Sequence, residues 1–181
     1  MEYEAVIGLE IHVETKTKSK MFSPAPIDYN AAPNTMVSYI DLAHPGTLPT
    51  INKQAVINAI RVCHALNMQI DETLHFDRKN YFYSDLPKGY QITQDKRPIG
   101  RNGYLDLLVD GQKKRIRINR LHMEEDTAKQ LHMVDHTLID YNRAGIPLVE
   151  IVTEPDIRSG KEAAKYVEII REIVKIGRAH V

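Results

Sequence analysis

Hydrophobic and polar positions alternate strictly near the start of the chain. Over residues 3–14, Ala5, Ile7, Leu9, Ile11 and Val13 fall on one face of an extended segment, with Glu4, Val6, Gly8, Glu10, His12 and Glu14 on the other. Residues 15–50 lose this periodicity and carry Pro24, Pro26, Pro33, Pro45, Gly46 and Pro49, which read as loop. A period of about 3.6 residues then takes over. Val56, Ala59, Ile60, Cys63 and Leu66 or Asn67 form its stripe and predict a helix over 52–67.

The aromatic-rich stretch 76–94 (Phe76, Tyr81, Phe82, Tyr83, Tyr90) reads as strands around a turn at Pro87–Gly89. Tyr104–Val109 and Lys114–Met123 are predicted strands joined by Asp110-Gly111, a hairpin dipeptide. Their apolar phase slips: Ile116 and Ile118 share one parity, Leu121 and Met123 the other, which predicts a bulge near Asn119-Arg120. Residues 146–153 form another strand, closed by Pro155. Ser159-Gly160-Lys161-Glu162 has the spacing of a capping box, in which serine and glutamate satisfy each other's free amides. It opens a helix whose buried face is Ala163, Tyr166, Val167, Ile170, Ile173 and Val174. Strands outnumber helices and cluster in hairpins, so the expected class is α+β with a largely antiparallel sheet and flanking helices.

Composition narrows the functions rather than the fold. Lys+Arg and Asp+Glu both number 24 in the 181 residues, for a formal charge of zero. Such a chain has no general electrostatic footprint for nucleic acid or an anionic membrane, so any nucleic-acid contact is local or made outside it. The single cysteine, Cys63, excludes an intramolecular disulfide and a Cys-rich zinc module, and its place in the helix stripe reads as a buried thiol. Glu2 and Glu4 stand where a signal peptide would be basic, and no apolar run reaches membrane-spanning length; the expected location is the cytoplasm, with no membrane partner.

Within this frame, carboxylates and histidine interrupt strand-like patterns. Alternate residues of a strand lie about 6.6 Å apart and face the same way. Glu10 and His12 therefore project side by side, either as ligands with Gly8 leaving room beside them or as the polar face of an edge strand. Glu150, flanked by Leu148 and Val152 on its own face, must be paired or bind a cation; Arg120 and Arg143 are the candidate protein partners. Glu124-Glu125-Asp126 is either a solvated turn or a group of carboxylates that a metal neutralises. Arg78 and Lys79, among aromatics, suit phosphate or carboxylate recognition or a plain basic strand face. Arg143, in Asn142-Arg143-Ala144-Gly145, holds an anion or sits in a surface turn, and His122 beside Met123 reads as a packed core histidine. Walker, Rossmann and HExxH patterns are absent from the sequence, so the residues by themselves point to a metal-dependent site of unspecified chemistry.

Four stretches carry a more specific message: Val6–Val13 (VIGLEIHV), Phe76–Gln94 (FDRKNYFYSDLPKGYQITQ), Arg120–Lys129 (RLHMEEDTAK) and Asn142–Ser159 (NRAGIPLVEIVTEPDIRS). Together they resemble the B subunit of the aspartyl/glutamyl-tRNA amidotransferases (GatB of the GatCAB heterotrimer), over about residue 3 to Val174. The resemblance implies a cradle domain related to the glutamine synthetase and guanido kinase fold. It implies ATP- and Mg2+-dependent phosphorylation of the side-chain carboxylate on misacylated tRNA(Gln) or tRNA(Asn), followed by amidation. The ammonia would come from the amidase (A) subunit, with a small (C) subunit as the third component. It implies metal ligands among Glu10, His12, Glu124, Glu125 and Glu150, anion binding by Arg78, Lys79 and Arg143, and catalytic roles for Glu125 and Lys79 near the polar end of an ammonia passage.

Departures from the family pattern shape three further expectations. Met21-Phe22-Ser23-Pro24 and Asp41–Pro45 lack the paired cysteines of zinc-bearing members, so no zinc is expected, and Ser84 replaces a common proline. Residues 1–175 read as the N-terminal part of the cradle, inactive alone, with the main tRNA-binding part missing. Ile176-Gly177-Arg178-Ala179-His180-Val181 matches the translation of a common sequencing-adapter sequence and reads as a non-native tail, the alternative being a genuine C-terminus with Gly177 as a helix C-cap. A non-catalytic scaffold docking the amidase, and an unrelated metal-dependent phosphotransferase, are the competing functions.

Overall fold

Ten strands and two helices make up the computed structural model, which describes residues 3–176 and 179–180. In chain order they are β1 (Glu10–Thr15), α1 (Lys53–Ala65), β2 (Gln69–Ile70), β3 (Asp77–Asn80), β4 (Tyr90–Thr93) and β5 (Gly100–Val109). There follow β6 (Gln112–Glu125), β7 (Lys129–His132), β8 (Thr137–Asp140), β9 (Pro147–Thr153), α2 (Gly160–Ile176) and β10 (Ala179–His180). One sheet runs β10-β1-β9-β6-β5-β2, every pair antiparallel, and β3-β4 and β7-β8 form separate two-stranded ribbons. The α+β class with a mostly antiparallel sheet is as expected from the pattern.

The first strand begins later than its alternation suggests. Upstream of Glu10 the pairing continues through the Thr153 amide, which donates to the Leu9 carbonyl at 2.9 Å, and an isolated bridge, Ile7 to Ile157. The hairpin between β5 and β6 turns on Asp110 (φ 53°) and Gly111 (φ 77°), the left-handed pair that a two-residue turn matched to strand twist requires. The phase slip is a real bulge: the β6–β9 register shifts between Ile118 and Arg120. Beyond it Leu121 and Met123 enter the core, so Arg120, His122 and Glu124 turn to the opposite face.

Both helices cover the apolar face of the sheet, where Val13, Val149, Ile151, Leu121 and Met123 meet Ala59, Val62, Leu66, Tyr166, Ile170 and Val174. Two details differ from expectation. The α1 stripe is rotated, burying Ala55, Ala59, Val62 and Cys63 and leaving Val56 and Ile60 only half-buried, because the alanines allow closer approach than the branched side chains. The α2 capping box closes one residue early. Ser159 Oγ accepts from the Glu162 amide at 3.2 Å, but the Glu162 carboxylate accepts from the Arg158 amide at 2.8 Å, and Val167 stays 38% exposed. The β7–β8 ribbon was not visible in the sequence; its strands are four residues each and largely exposed. At the far edge β10 pairs with β1 through Thr15↔Ala179 and Glu14↔His180. Gly177, Arg178 and Val181 lie outside the described residues, and the reading of 176–181 as an adapter-derived tail falls in part on them.

Candidate functional site

The strand register writes the site as a grid on the face away from the helices. Across β1, β9 and β6 the rows are Glu10–Val152–Arg120, His12–Glu150–His122 and Glu14–Leu148–Glu124. Opposite residues of antiparallel neighbours face the same side, so the middle row and its diagonal neighbours place two imidazoles and two carboxylates within contact of one another. His12 Nε2 lies 3.4 Å from Glu124 Oε1 and 3.3 Å from Glu150 Oε2. His122 Nε2 lies 3.3 Å from Glu124 Oε2 and 3.1 Å from Glu150 Oε2.

These contacts reset proton affinities. Burial alone would lower the His122 pKa, but hydrogen bonds to Glu124 and Glu150 and their negative charge outweigh it and raise it to about 9. The hydrogen bond from His122, helped by the charge of both histidines, overcomes burial and holds Glu150 down at about 2. His122 Nδ1 is buried without a hydrogen-bond partner among the described residues. One nitrogen of His12 and one oxygen each of Glu124 and Glu150 lie within 4.8 Å of one another, a mixed nitrogen–oxygen donor set on three adjacent strands.

The grid is the floor of an open cleft of about 1220 Å³ whose far wall is the β3–β4 ribbon. Arg78 and Lys79 line that wall, their cationic ends over the rings of Tyr90 (4.6 Å) and Tyr81 (5.8 Å). Asp126 also lines the cleft; burial raises its pKa despite the nearby Arg143 guanidinium. Thr93 Oγ1 donates to Glu124 Oε2 at 3.3 Å and ties wall to floor.

Of the residues singled out in the sequence, His12, Glu124 and Glu150 converge, and Glu10 lines the cleft one row away from them. Glu125 does not join them. Its parity on β6 sends it to the other face, where it is 3% exposed, pairs with Lys88 and accepts from the Ile92 amide at 3.1 Å. Its place among the metal ligands is therefore corrected: neighbours on a strand point to opposite faces, and only Glu124 reaches the cluster. Burial raises the Glu125 pKa against the pull of Lys88. Arg143 is likewise absent from the cleft lining; its guanidinium donates to the carbonyls of Thr127 and Ala128, both at 2.9 Å. Glu150 takes neither Arg120 nor Arg143 as partner but the two histidines. His122, read as a core histidine, is the residue the sequence reasoning missed; the parity of Leu121 and Met123 was the signal that places it with Glu124.

Fold and cleft together define an α+β domain with a charge-lined polar site. Among known proteins, the family model described as GatB/GatE catalytic domain matches residues 5–180, and the chain belongs to that family. It is 62% identical over 172 residues to the B subunit of an aspartyl/glutamyl-tRNA(Asn/Gln) amidotransferase from Mycoplasma mobile, an alignment covering 95% of this chain and 36% of that relative. The B subunit of the same description from Staphylococcus aureus is 58% identical over 175 residues, 97% of this chain and 37% of the relative. The chain thus spans little more than a third of the length of the curated relatives it matches. No helix among the described residues is long and apolar enough to cross a membrane.

Proposed function

We propose that this chain forms part of a cradle domain of glutamine synthetase/guanido kinase type that activates a carboxylate on misacylated tRNA. In this reading the side chain of glutamate or aspartate on tRNA(Gln) or tRNA(Asn) is phosphorylated with ATP and Mg2+. Ammonia from the amidase (A) subunit then forms the amide, and a small (C) subunit completes the cytoplasmic enzyme. The observation that carries the reading is the convergence of His12, Glu124 and Glu150 at the floor of a cleft walled by Arg78 and Lys79. Two carboxylates and an imidazole suit a divalent cation that keeps positions open for phosphate oxygens. When bound, Mg2+ would offset the repulsion between a polyphosphate and an approaching carboxylate.

The chain's own groups have separable tasks. His12, Glu124 and Glu150 hold the cation. His122 bonds both carboxylates and fixes their orientation, as residues behind metal ligands commonly do. Arg78 and Lys79 attract and orient anionic substrate. Glu125 acts through position: by tying Lys88 and the Ile92 amide to the end of β6 it sets the wall that carries Lys79, and with Lys88 it supplies a buried polar pair suited to the ammonia passage.

The test uses the protein purified with its accompanying subunits. Glu150→Gln should abolish tRNA-dependent ATP hydrolysis and leave glutamine hydrolysis by the amidase at least partly intact; ATP hydrolysis surviving at the wild-type rate would refute the reading. One observation favours the scaffold alternative: Leu131, Met133, Val134 and Leu138 of the β7–β8 ribbon are exposed and apolar. A Leu131→Asp variant that loses the amidase, while Glu150→Gln has no effect on ATP hydrolysis, is the result that alternative requires.

A further inference from the structure

Beyond the histidine–carboxylate cluster, the first row of the grid ends in two arginines. Arg120 on β6 lies directly opposite Arg101 on β5, and such pairs project to the same face. Like charges so placed repel unless something negative lies between them. Arg101 spends one donor on the Lys96 carbonyl. Arg120 Nε is buried with no hydrogen-bond partner among the described residues, a costly state for a charged donor. These groups border a second hollow of about 320 Å³, lined by Lys96, Arg101 and Arg120 against a single carboxylate, Asp95. Asp95, Lys96 and Arg120 also line the main cleft, so the two spaces adjoin.

We propose that Arg101, Arg120 and Lys96 form an anion subsite for the polyphosphate of a nucleotide, set beside the His12–Glu124–Glu150 cluster. The identity of the ligand as a nucleotide rests on the function proposed above; the anion subsite itself rests on the facing arginines and the hollow they line with Lys96, with the orphaned Arg120 Nε beside it. An acidic cation-binding end and a cationic end within one cleft suit an extended polyanion, which is held by a metal at one oxygen group and by guanidinium donors at another. A lone carboxylate would occupy one end and leave Arg120 unpaired. Two guanidinium groups carried by strands spaced about 4.8 Å apart present donors to successive anionic groups in a way that two ammonium groups do not. This assignment shifts the anion-binding role of Arg143, which spends Nε and one terminal nitrogen on backbone carbonyls and lies beside Asp126, onto Arg120.

The probe is inorganic tripolyphosphate, titrated in EDTA into the protein purified with its accompanying subunits. Arg120→Gln should weaken binding about tenfold or more, the scale of one lost charge-assisted pair. Arg120→Lys, which keeps the charge but loses the guanidinium fork, should fall between wild type and Arg120→Gln, and Arg115→Gln, a change at an exposed arginine paired with Asp106, should leave binding unchanged. If Arg120→Gln does not fold, the Lys96→Gln/Arg101→Gln double variant carries the same expectation. Equal affinity in wild type and variant, or an equal loss in Arg115→Gln, overturns the subsite. Weakened binding of a single-stranded oligonucleotide with unchanged tripolyphosphate binding overturns it too, in favour of a nucleic-acid backbone site. The subsite and the function fail separately: Arg120-dependent tripolyphosphate binding without tRNA phosphorylation defeats the function, and phosphorylation by Arg120→Gln at an unchanged KM for ATP defeats the subsite.

Discussion

Two buried charge assemblies in this fold solve opposite problems. Lys20, 0% exposed, lies with its Nζ 3.4 Å from Asp41 Oδ2 and donates to the Tyr141 carbonyl at 3.2 Å. Asp41 in turn accepts from Ser23 Oγ at 3.0 Å and from the Ser38 amide at 2.8 Å. Gly145 (φ +86°) packs so closely here that a Cβ would lie 3.0 Å from Asp41 Oδ1. This pair is closed: each charge has its partner, and neither residue lines the cleft or the second hollow. The cluster of His12, His122, Glu124 and Glu150 is open. The His12 side chain is 58% exposed, and the Glu124 and Glu150 carboxylates face a large cleft. Burial of charge by itself thus says little about function; what separates the two assemblies is unused bonding capacity turned toward space.

The largest expected effect breaks the closed assembly. Removing one partner of a buried pair strands the other charge, at a cost of about 3–5 kcal/mol. Asp41→Ala should lower unfolding stability by that order, measured by urea denaturation. Burial already lowers the Lys20 pKa in spite of Asp41, so the stranded amine will tend to lose its proton rather than stay charged. A Lys20→Met/Asp41→Leu double variant should recover most of the loss, because apolar residues of similar volume often replace a buried pair without penalty. A double variant as unstable as Asp41→Ala would mean that the loop needs the charges themselves.

The open assembly should give a smaller and pH-dependent effect. In metal-free protein the raised His122 pKa contributes stability that is fully present below its ordinary 6.5 and is lost as pH rises through about 9. The depressed Glu150 pKa acts in the other direction, with stability present above its ordinary 4.5 and lost as pH falls toward about 2. His122→Gln should therefore cost about 1–3 kcal/mol near pH 6 and much less near pH 10. Urea midpoints of wild type and variant, in EDTA across that range, check it. A difference that stays constant with pH would show that His122 packs rather than pairs.

Legibility in the sequence followed how local the cause was. The alternation around Glu10 and His12, the Asp110-Gly111 turn and the bulge near Arg120 are set by neighbouring residues, and all three are present in the fold. The same bulge held the information needed to choose Glu124 over Glu125, since Leu121 and Met123 in the core put Glu125 on their own side. The Lys20–Asp41 pair was invisible because it joins two points of an aperiodic loop whose approach depends on Tyr141 and Gly145, far along the chain. His122 was misread for a related reason: burial was foreseen, but while Glu124 lies two residues along its own strand, its second partner, Glu150, comes from a strand that begins at Pro147.

The smallest effect is expected where charges meet in open water. Lys161 pairs with Asp110 at the tip of the β5–β6 hairpin, with side chains 66% and 70% exposed. Solvent screens such a pair, and holding two mobile side chains together costs entropy, so exposed pairs contribute about 0–1 kcal/mol. Lys161→Ala should accordingly shift the urea midpoint by little, and the shift should vanish at high salt. Asp110 has a second role that Lys161 lacks, since its left-handed backbone (φ 53°) helps form the turn. Asp110→Ala should therefore cost more than Lys161→Ala, and the excess should survive high salt because it is conformational. If both substitutions cost the same at every salt concentration, the hairpin does not depend on the backbone preference of its first turn residue.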